Sequence, residues 1–345
     1  MAYKTDVELA IKRLFPSRWT KEDIKYFLKE YRYDLDVSSL NLNLNEPIRD
    51  FVLRGGKRLR PMMFLLCLQV FKKDSQKYVD IAAMIELVHN GTLILDDIED
   101  DGRLRRGKPT CHLAYGLDTA TNTGMALHVL PLRVITRHKY LTEKQKLDLL
   151  NIYTDEVINV SFGQALDIHW HKNQTLQVDF NKYLEMVRLK TGSLMRMSLR
   201  MAAAIAEQKK STRIILKEYA ESVGMAFQIK DDVLDLQTTD EKFGKSHGND
   251  ITEGKMSLPV VYALKNTSSN EKKELTYILQ KHTRDKRQID RAIEIISKSG
   301  AIDQAEHFAE ELVDEGWKRI ERYVEDGEAL QKFKELTYYL IKRTY

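Results

Sequence analysis

The chain has 345 residues, 43% of them apolar and 31% charged, and a formal net charge of +4. That length supports a sizeable buried core, and so small a charge gives no reason to expect a nucleic-acid partner. Six prolines and sixteen glycines are too few for a fold of many short strands and tight turns. Cys67 stands between Leu66 and Leu68, and Cys111 two residues before Leu113; both are expected to be reduced core residues of a cytoplasmic protein. The charged N-terminus lacks the continuous apolar core of a cleavable signal. The longest apolar block, near Pro61 to Phe71, is too short to span a bilayer, so no transmembrane segment is expected.

In chain order, residues 1–46 are expected to form a helical extension belonging to the same unit as the rest. Thr20 and Asp23 have the spacing of a capping box, with Ile24, Phe27, Leu28 and Tyr31 at helical intervals behind them. The Asn-rich stretch Asn41 to Asn45 predicts a loop. Helices are predicted over Met62 to Phe71 and Asp80 to Asp100, then over 118–139, 143–171, 178–207, 211–237 and 255–265. Pro131 should kink the first of that later series. Ser268 and Glu271 repeat the capping-box spacing and open the C-terminal helices. No stretch alternates as a strand. One all-α domain is predicted, a single large helical bundle, with residues 47–345 as its main body.

Four constellations in this chain carry chemistry. Arg54-Gly55-Gly56-Lys57-Arg58-Leu59-Arg60 sets cations around two glycines, where the backbone can approach a ligand closely and Arg and Lys suit phosphate oxygens. Asp96-Asp97-Ile98-Glu99-Asp100-Asp101 packs five carboxylates into six residues. Like charges one helical turn apart repel, so a bound cation is expected, and Asp96 and Asp100 point the same way. A hard, incompletely wrapped ion such as Mg²⁺ fits. Asp231-Asp232-Val233-Leu234-Asp235 repeats the Asp-Asp-x-x-Asp pattern, again after an apolar run. Two such clusters in a helical chain suit facing carboxylates that clamp a polyanion through bridging metals. Lys190-Thr191-Gly192, Phe243-Gly244-Lys245 and Glu253-Gly254-Lys255 add lysines beside small residues, as further phosphate ligands would. His169-Trp170-His171 places its imidazoles on nearly opposite helix sides, which argues against a metal there.

Together these pieces, with Leu-Arg-Arg-Gly-Lys-Pro after the first acidic motif and Gly-Lys-Met-Ser-Leu-Pro after the second, resemble the trans-type isoprenyl diphosphate synthases over roughly residues 47–343. The resemblance implies packed helices around a deep central cavity, a homodimer, and Mg²⁺-dependent head-to-tail addition of isopentenyl diphosphate to an allylic prenyl diphosphate. Asp96, Asp100 and Asp231 would hold three magnesium ions, with Asp97, Asp232 and Asp235 in support. Arg105, Lys190, Lys245 and Lys255 would bind the allylic diphosphate. Lys57, Arg60, His89 and Arg106 would bind isopentenyl diphosphate. The Thr191 hydroxyl, the Gln228 amide and the Lys190 carbonyl would face the allylic cation. The first acidic motif has two residues before its third aspartate, as in archaeal and eukaryotic members. Lys230 adds a cation beside the second.

Product length in this family depends on what blocks a tunnel before the first motif. Stepping back from Asp96, the helix face shows Thr92, Gly91, Val88 and Ile85, with no aromatic stop. Gly91 is expected to keep the tunnel open and His128, on the next helix, to supply its floor. The expected product is C20 geranylgeranyl diphosphate, with C25 to C30 as the alternative. A class I terpene cyclase would carry a different second metal motif and lack Lys57, Arg60 and His89. A non-catalytic partner subunit of a synthase would have lost acidic or cationic ligands that are all present here.

Overall fold

A computed structural model describes residues 2–172, 178–237 and 248–342. Lys245, expected as a diphosphate ligand, lies outside the described residues, as do Phe243 and Gly244. Two compact units emerge, residues 1–152 with 201–208, and residues 153–200 with 209–345.

The first unit begins with α1 (Ala2–Leu14), α2 (Lys21–Phe27) and α3 (Val37–Leu40). The Thr20–Asp23 capping box opens α2 as expected. Phe15, Trp19 and Phe27 form an aromatic knot with ring centroids 5.6, 5.8 and 5.5 Å apart. Residues Asn41–Asn45, predicted as a loop, form a π-helical turn. Asn41 explains the difference, because its amide accepts from the Trp19 N–H and donates to the carbonyls of Trp19 and Val37. These bonds satisfy backbone groups that would otherwise favour an open turn. α4 (Glu46–Leu53), α5 (Leu59–Val70) and α6 (Val79–Glu99) follow.

α6 is the core of this unit, with α1, α5 and α8 (Leu117–Val129) packed on it. Residues Ser75–Glu99 are long and apolar enough to cross a membrane by length and composition, but 72% of the apolar window is buried in the protein. Between α6 and α8 stand β1 (Leu104–Arg105) and β2 (Lys108–Pro109), which pair antiparallel, and α7 (Cys111–Tyr115). The helix predicted over 118–139 breaks outright at Pro131 into α8 and α9 (Leu132–Thr136), because proline cannot supply the N–H that the helix would need there.

Two of the unit boundaries fall inside α10 (Glu143–Lys172) and α12 (Gly192–Ile205), and the third follows α12. α11 (Phe180–Lys190) precedes α12, so the helix predicted over 178–207 is interrupted at Thr191. The second unit continues with α13 (Lys210–Gln237), α14 (Asn249–Glu253), α15 (Leu258–Asn266), α16 (Ser269–Gln280), α17 (Lys286–Lys298), α18 (Ala301–Ile320) and α19 (Glu328–Lys342). α13 packs along α18. Tyr219 of α13 meets the Trp317 ring edge-on and the Phe333 ring at a tilt, and its hydroxyl meets that of Thr337 at 2.6 Å. Ser268 and Glu271 cap α16 reciprocally, as their spacing predicts.

Candidate active site

The basic turn before α5 divides its cations between inside and outside. Gly55 and Gly56 have φ of +97° and +137°, and Arg58 is left-handed at 52°. That path turns Arg58 inward, fully buried, onto Glu86 at 2.8 Å. Arg54 is engaged by Asp50 at 2.5 Å and by the Pro109 carbonyl. Lys57 is exposed and Arg60 half-buried. Arg60 Nη1 lies 3.3 Å from His89 Nε2, on α6. Burial, and then the charges of Arg60 and Arg106, hold the His89 pKa well below that of an ordinary imidazole.

Arg106 reaches the same region from the tip of the β1–β2 hairpin, with φ of 56°. Its guanidinium donates to Asn90 Oδ1 at 3.2 Å and lies over the Phe51 ring. A Cβ on Gly56 would come within 3.3 Å of its Nη2. Burial brings its pKa down to about 10, with Glu86 opposing and Arg58 reinforcing the shift. The structure therefore gathers Arg60, His89 and Arg106 on one face of the glycine turn, with Lys57 on the turn itself.

At the other end of α6, the acidic run occupies the last turn and the cap. Carboxylates there oppose the negative end of the helix dipole, which adds to their mutual repulsion. Arg105 resolves part of this. Its Nε and Nη2 fork onto Asp97 at 3.0 and 2.5 Å, while Asp96 stands 3.7 Å away. Burial raises the pKa of Asp97, opposed by Arg105. Arg105, expected to bind diphosphate, is thus held by a carboxylate of the motif it follows.

In the second unit, Thr191 Oγ1 donates to Gln228 Oε1 at 2.9 Å, and Gln228 Nε2 donates to Asp232 at 2.8 Å. Asp232 also accepts from the Tyr183 hydroxyl at 2.7 Å and the Leu258 N–H at 3.2 Å. Burial pushes its pKa up to about 6. Asp235 accepts from the Asp250 N–H at 2.9 Å. The Asp250 carboxyl is driven well above its ordinary range by burial and by the charge of Asp235, with Lys255 relieving it. Lys190 meets Asp167 at 2.6 Å, and Lys255 meets Glu253 at 2.5 Å. Lys230 pairs with Glu306 of α18, so its charge is committed there.

Asp167, Tyr183 and Asp250, which touch the candidate residues Lys190, Asp232 and Asp235, were not singled out by the sequence. A signal for Asp167 existed in Gly163, a glycine inside a long helix, where it costs about 1 kcal/mol relative to alanine. A Cβ there would come within 2.3 Å of the Lys190 backbone nitrogen. Only glycine lets α10 meet the end of α11, and that contact brings Asp167 to Lys190.

Of the three product-length candidates, Gly91 and His128 are neighbours. A Cβ on Gly91 would stand 2.9 Å from Leu127 Cβ, 3.0 Å from the Gly124 carbonyl and 3.0 Å from His128 Cε1. The close approach of α8 alone demands a glycine. His128 Nδ1 is bonded to the Gly124 carbonyl at 2.8 Å, and Thr92 donates to the His89 carbonyl.

A sequence profile of the family described as polyprenyl synthetase matches residues 41–296. A short chain isoprenyl diphosphate synthase of Methanocaldococcus jannaschii is 38% identical over 252 residues, which is 73% of this chain and 75% of that one. A geranylfarnesyl diphosphate synthase of Aeropyrum pernix is 34% identical, covering 84% of this chain and 91% of that one. Among solved structures, the geranylgeranyl pyrophosphate synthetase of Pyrococcus horikoshii superposes with a TM-score of 0.85 at 28% identity, covering 99% of this chain and 98% of that one. Its helices have the all-α fold of these synthases, and the chain belongs to the polyprenyl synthetase family and is a prenyltransferase.

Proposed function

We propose that this enzyme condenses isopentenyl diphosphate head-to-tail with an allylic prenyl diphosphate and releases all-trans geranylgeranyl diphosphate. The observation that carries the reading is the cluster of Arg60, His89 and Arg106 around the glycine turn. It supplies cations for a second diphosphate, for which a cyclase has no use. On this reading Lys57, Arg60, His89 and Arg106 hold isopentenyl diphosphate. Arg105, Lys190, Lys245 and Lys255 hold the allylic diphosphate.

The donors at the end of α6 fit a divalent cation. They are carboxylates one turn apart, Asp96 and Asp100, beside an Arg105 that is forked onto Asp97 and stands 3.7 Å from Asp96. Among the described residues no group of three His, Cys, Asp or Glu side chains could hold a metal alone. An ion that takes one or two carboxylates and completes its shell with water and phosphate suits such a set, and Mg²⁺ is that ion. Asp96, Asp100 and Asp231 would hold three such ions, which would neutralise the departing diphosphate as Lewis acids.

The protein's own groups do the remaining work. The Thr191 hydroxyl and the Gln228 amide, already aligned by their mutual bond, present lone pairs to the allylic cation together with the Lys190 carbonyl. Tyr183, Gln228 and the Leu258 N–H fix Asp232, which steadies the helix turn that carries Asp231. The proton lost in the last step goes to the released diphosphate, so no side chain is needed as its base.

The test is to incubate the purified chain with isopentenyl diphosphate, farnesyl diphosphate and Mg²⁺, then to size the extracted prenyl alcohols. Geranylgeraniol is expected. The likeness to the Aeropyrum enzyme named for a C25 product supports geranylfarnesyl diphosphate as the second reading, which a C25 alcohol would favour. Farnesol as the largest product would overturn both. His128→Trp should shorten the product if His128 forms the tunnel floor, and an unchanged product would remove it from that role. Chelation of divalent ions should abolish turnover, and Asp96→Asn should lower kcat by about a hundred-fold or more. We further propose a cytoplasmic homodimer. The two buried, free cysteines and the exposed apolar face of α8 support that part.

A further inference from the structure

Asn90 is fully buried in the middle of α6, a helix whose other buried residues are mostly apolar. Burying an amide costs desolvation that an apolar side chain does not incur, so the asparagine needs a reason. Its surroundings fix which way the amide points. Nδ2 donates to the Glu86 carbonyl at 2.7 Å and to Glu86 Oε1 at 3.1 Å, while Oδ1 accepts from Arg106 Nη1 at 3.2 Å. The flipped amide would set N–H groups against a guanidinium and an oxygen against a carboxylate.

Glu86, itself buried, also binds Arg58 Nη1 at 2.8 Å, and the other arm of Arg58 donates to the Val52 carbonyl. On the far side Arg58 has Glu8 of α1 at 3.8 Å. A chain of partners thus runs from α1 through Arg58, Glu86 and Asn90 to Arg106. Its charges matter. Glu86 is the counter-charge of Arg58, and Asn90 holds Arg106 with a neutral oxygen. A carboxylate in its place would have neutralised Arg106. The amide fixes the guanidinium and leaves its charge for a phosphate.

We propose that Asn90, braced by Glu86 and Arg58, is the positioning residue that aims Arg106 at the diphosphate of isopentenyl diphosphate. The proposal rests on Arg106 being a ligand of that substrate. The hairpin alone cannot aim it, because the long side chain springs from a two-residue turn. Phe51 supports one face of the guanidinium and the bare Cα of Gly56 makes room at Nη2, so Asn90 supplies the missing directional contact.

The test is a double-mutant cycle read as KM for each substrate separately. Asn90→Leu should raise the KM for isopentenyl diphosphate about ten-fold, the effect of losing a hydrogen bond to a charged group. The allylic KM should stay within about two-fold. In an Arg106→Gln background, Asn90→Leu should add almost nothing. Glu86→Gln should raise the same constant by a smaller factor. Asn90→Ser, whose hydroxyl bonds back within the helix and falls short of Arg106, carries the same expectation if the leucine variant does not fold. Equal rises for both substrates, or full additivity with Arg106→Gln, would overturn the positioning role while leaving the enzyme's function standing. A wild-type chain that neither binds nor condenses isopentenyl diphosphate would overturn the function, and the positioning role with it.

Discussion

His89 is an imidazole set among cations, and its protonation state can be measured. Burial and the charges of Arg60 and Arg106 depress its pKa, so it stays neutral where an unfolded histidine, near 6.5, begins to take a proton. The folded state then binds fewer protons than the unfolded one below about that pH, and stability falls as pH falls. Buried carboxyls with raised pKa such as Asp232 act in the opposite sense, so the contribution of His89 is read as a difference: going from pH 7 to pH 5, the thermal midpoint of the wild type should change less favourably than that of His89→Gln. Equal slopes would mean that His89 titrates normally. The neutral ring also predicts that the KM for isopentenyl diphosphate shows no histidine step between pH 6 and 8. His89 and Arg60 were legible in the sequence because each sits at a recognisable place in a motif. Asn90, Glu86 and Asp167 were not, because their meaning lies in partners brought to them by folding. An asparagine in an apolar helix gives no sign of which guanidinium it meets.

Helices and their breaks were read with uneven success, and the reasons are physical. Pro131 announces an interruption by its chemistry, expected as a kink and found as a break between α8 and α9. The break at Thr191 is marked more weakly, by a Thr-Gly pair that lowers helix propensity without forbidding a helix as proline does. The crossing of α6 and α8 depends on close contact between them. Gly91 was expected to spare room for a growing prenyl chain, yet it also lies within contact distance of Gly124, Leu127 and His128 of α8. Gly124 is its counterpart, because a Cβ there would come 2.8 Å from Leu95. Gly124→Ala should force the two helices apart and cost about 1–3 kcal/mol, as overpacking does, seen as a lower denaturant midpoint at unchanged slope. No loss of stability would mean that Leu95 yields by changing rotamer.

At the scale of the whole molecule, the chain divides into two compact units, and two of the three points where it passes from one to the other fall within α10 and α12. No shift of composition could mark those two, since the helices continue through them, while the third lies in the short connection before α13. Surface chemistry is more telling about assembly. While one side of α8 is buried against α6, the other exposes Leu117, Met125 and Val129 at 58%, 59% and 63% of their area. Their numbers differ by multiples of four, so they form one stripe. Fully burying a side chain of this size is worth about 1.5–3 kcal/mol, and a two-fold symmetric contact would use each residue twice. The stripe therefore suits a second copy of the chain, and Met125→Glu with Val129→Glu should separate the pair. In sedimentation velocity the wild type should run at twice the 40.2 kDa of the chain and the double variant as a monomer. Because both residues are exposed, far-UV circular dichroism should be unchanged, which distinguishes dissociation from unfolding. A variant that remains dimeric would place the interface on another face, and a monomeric wild type at micromolar concentration would remove the dimer altogether.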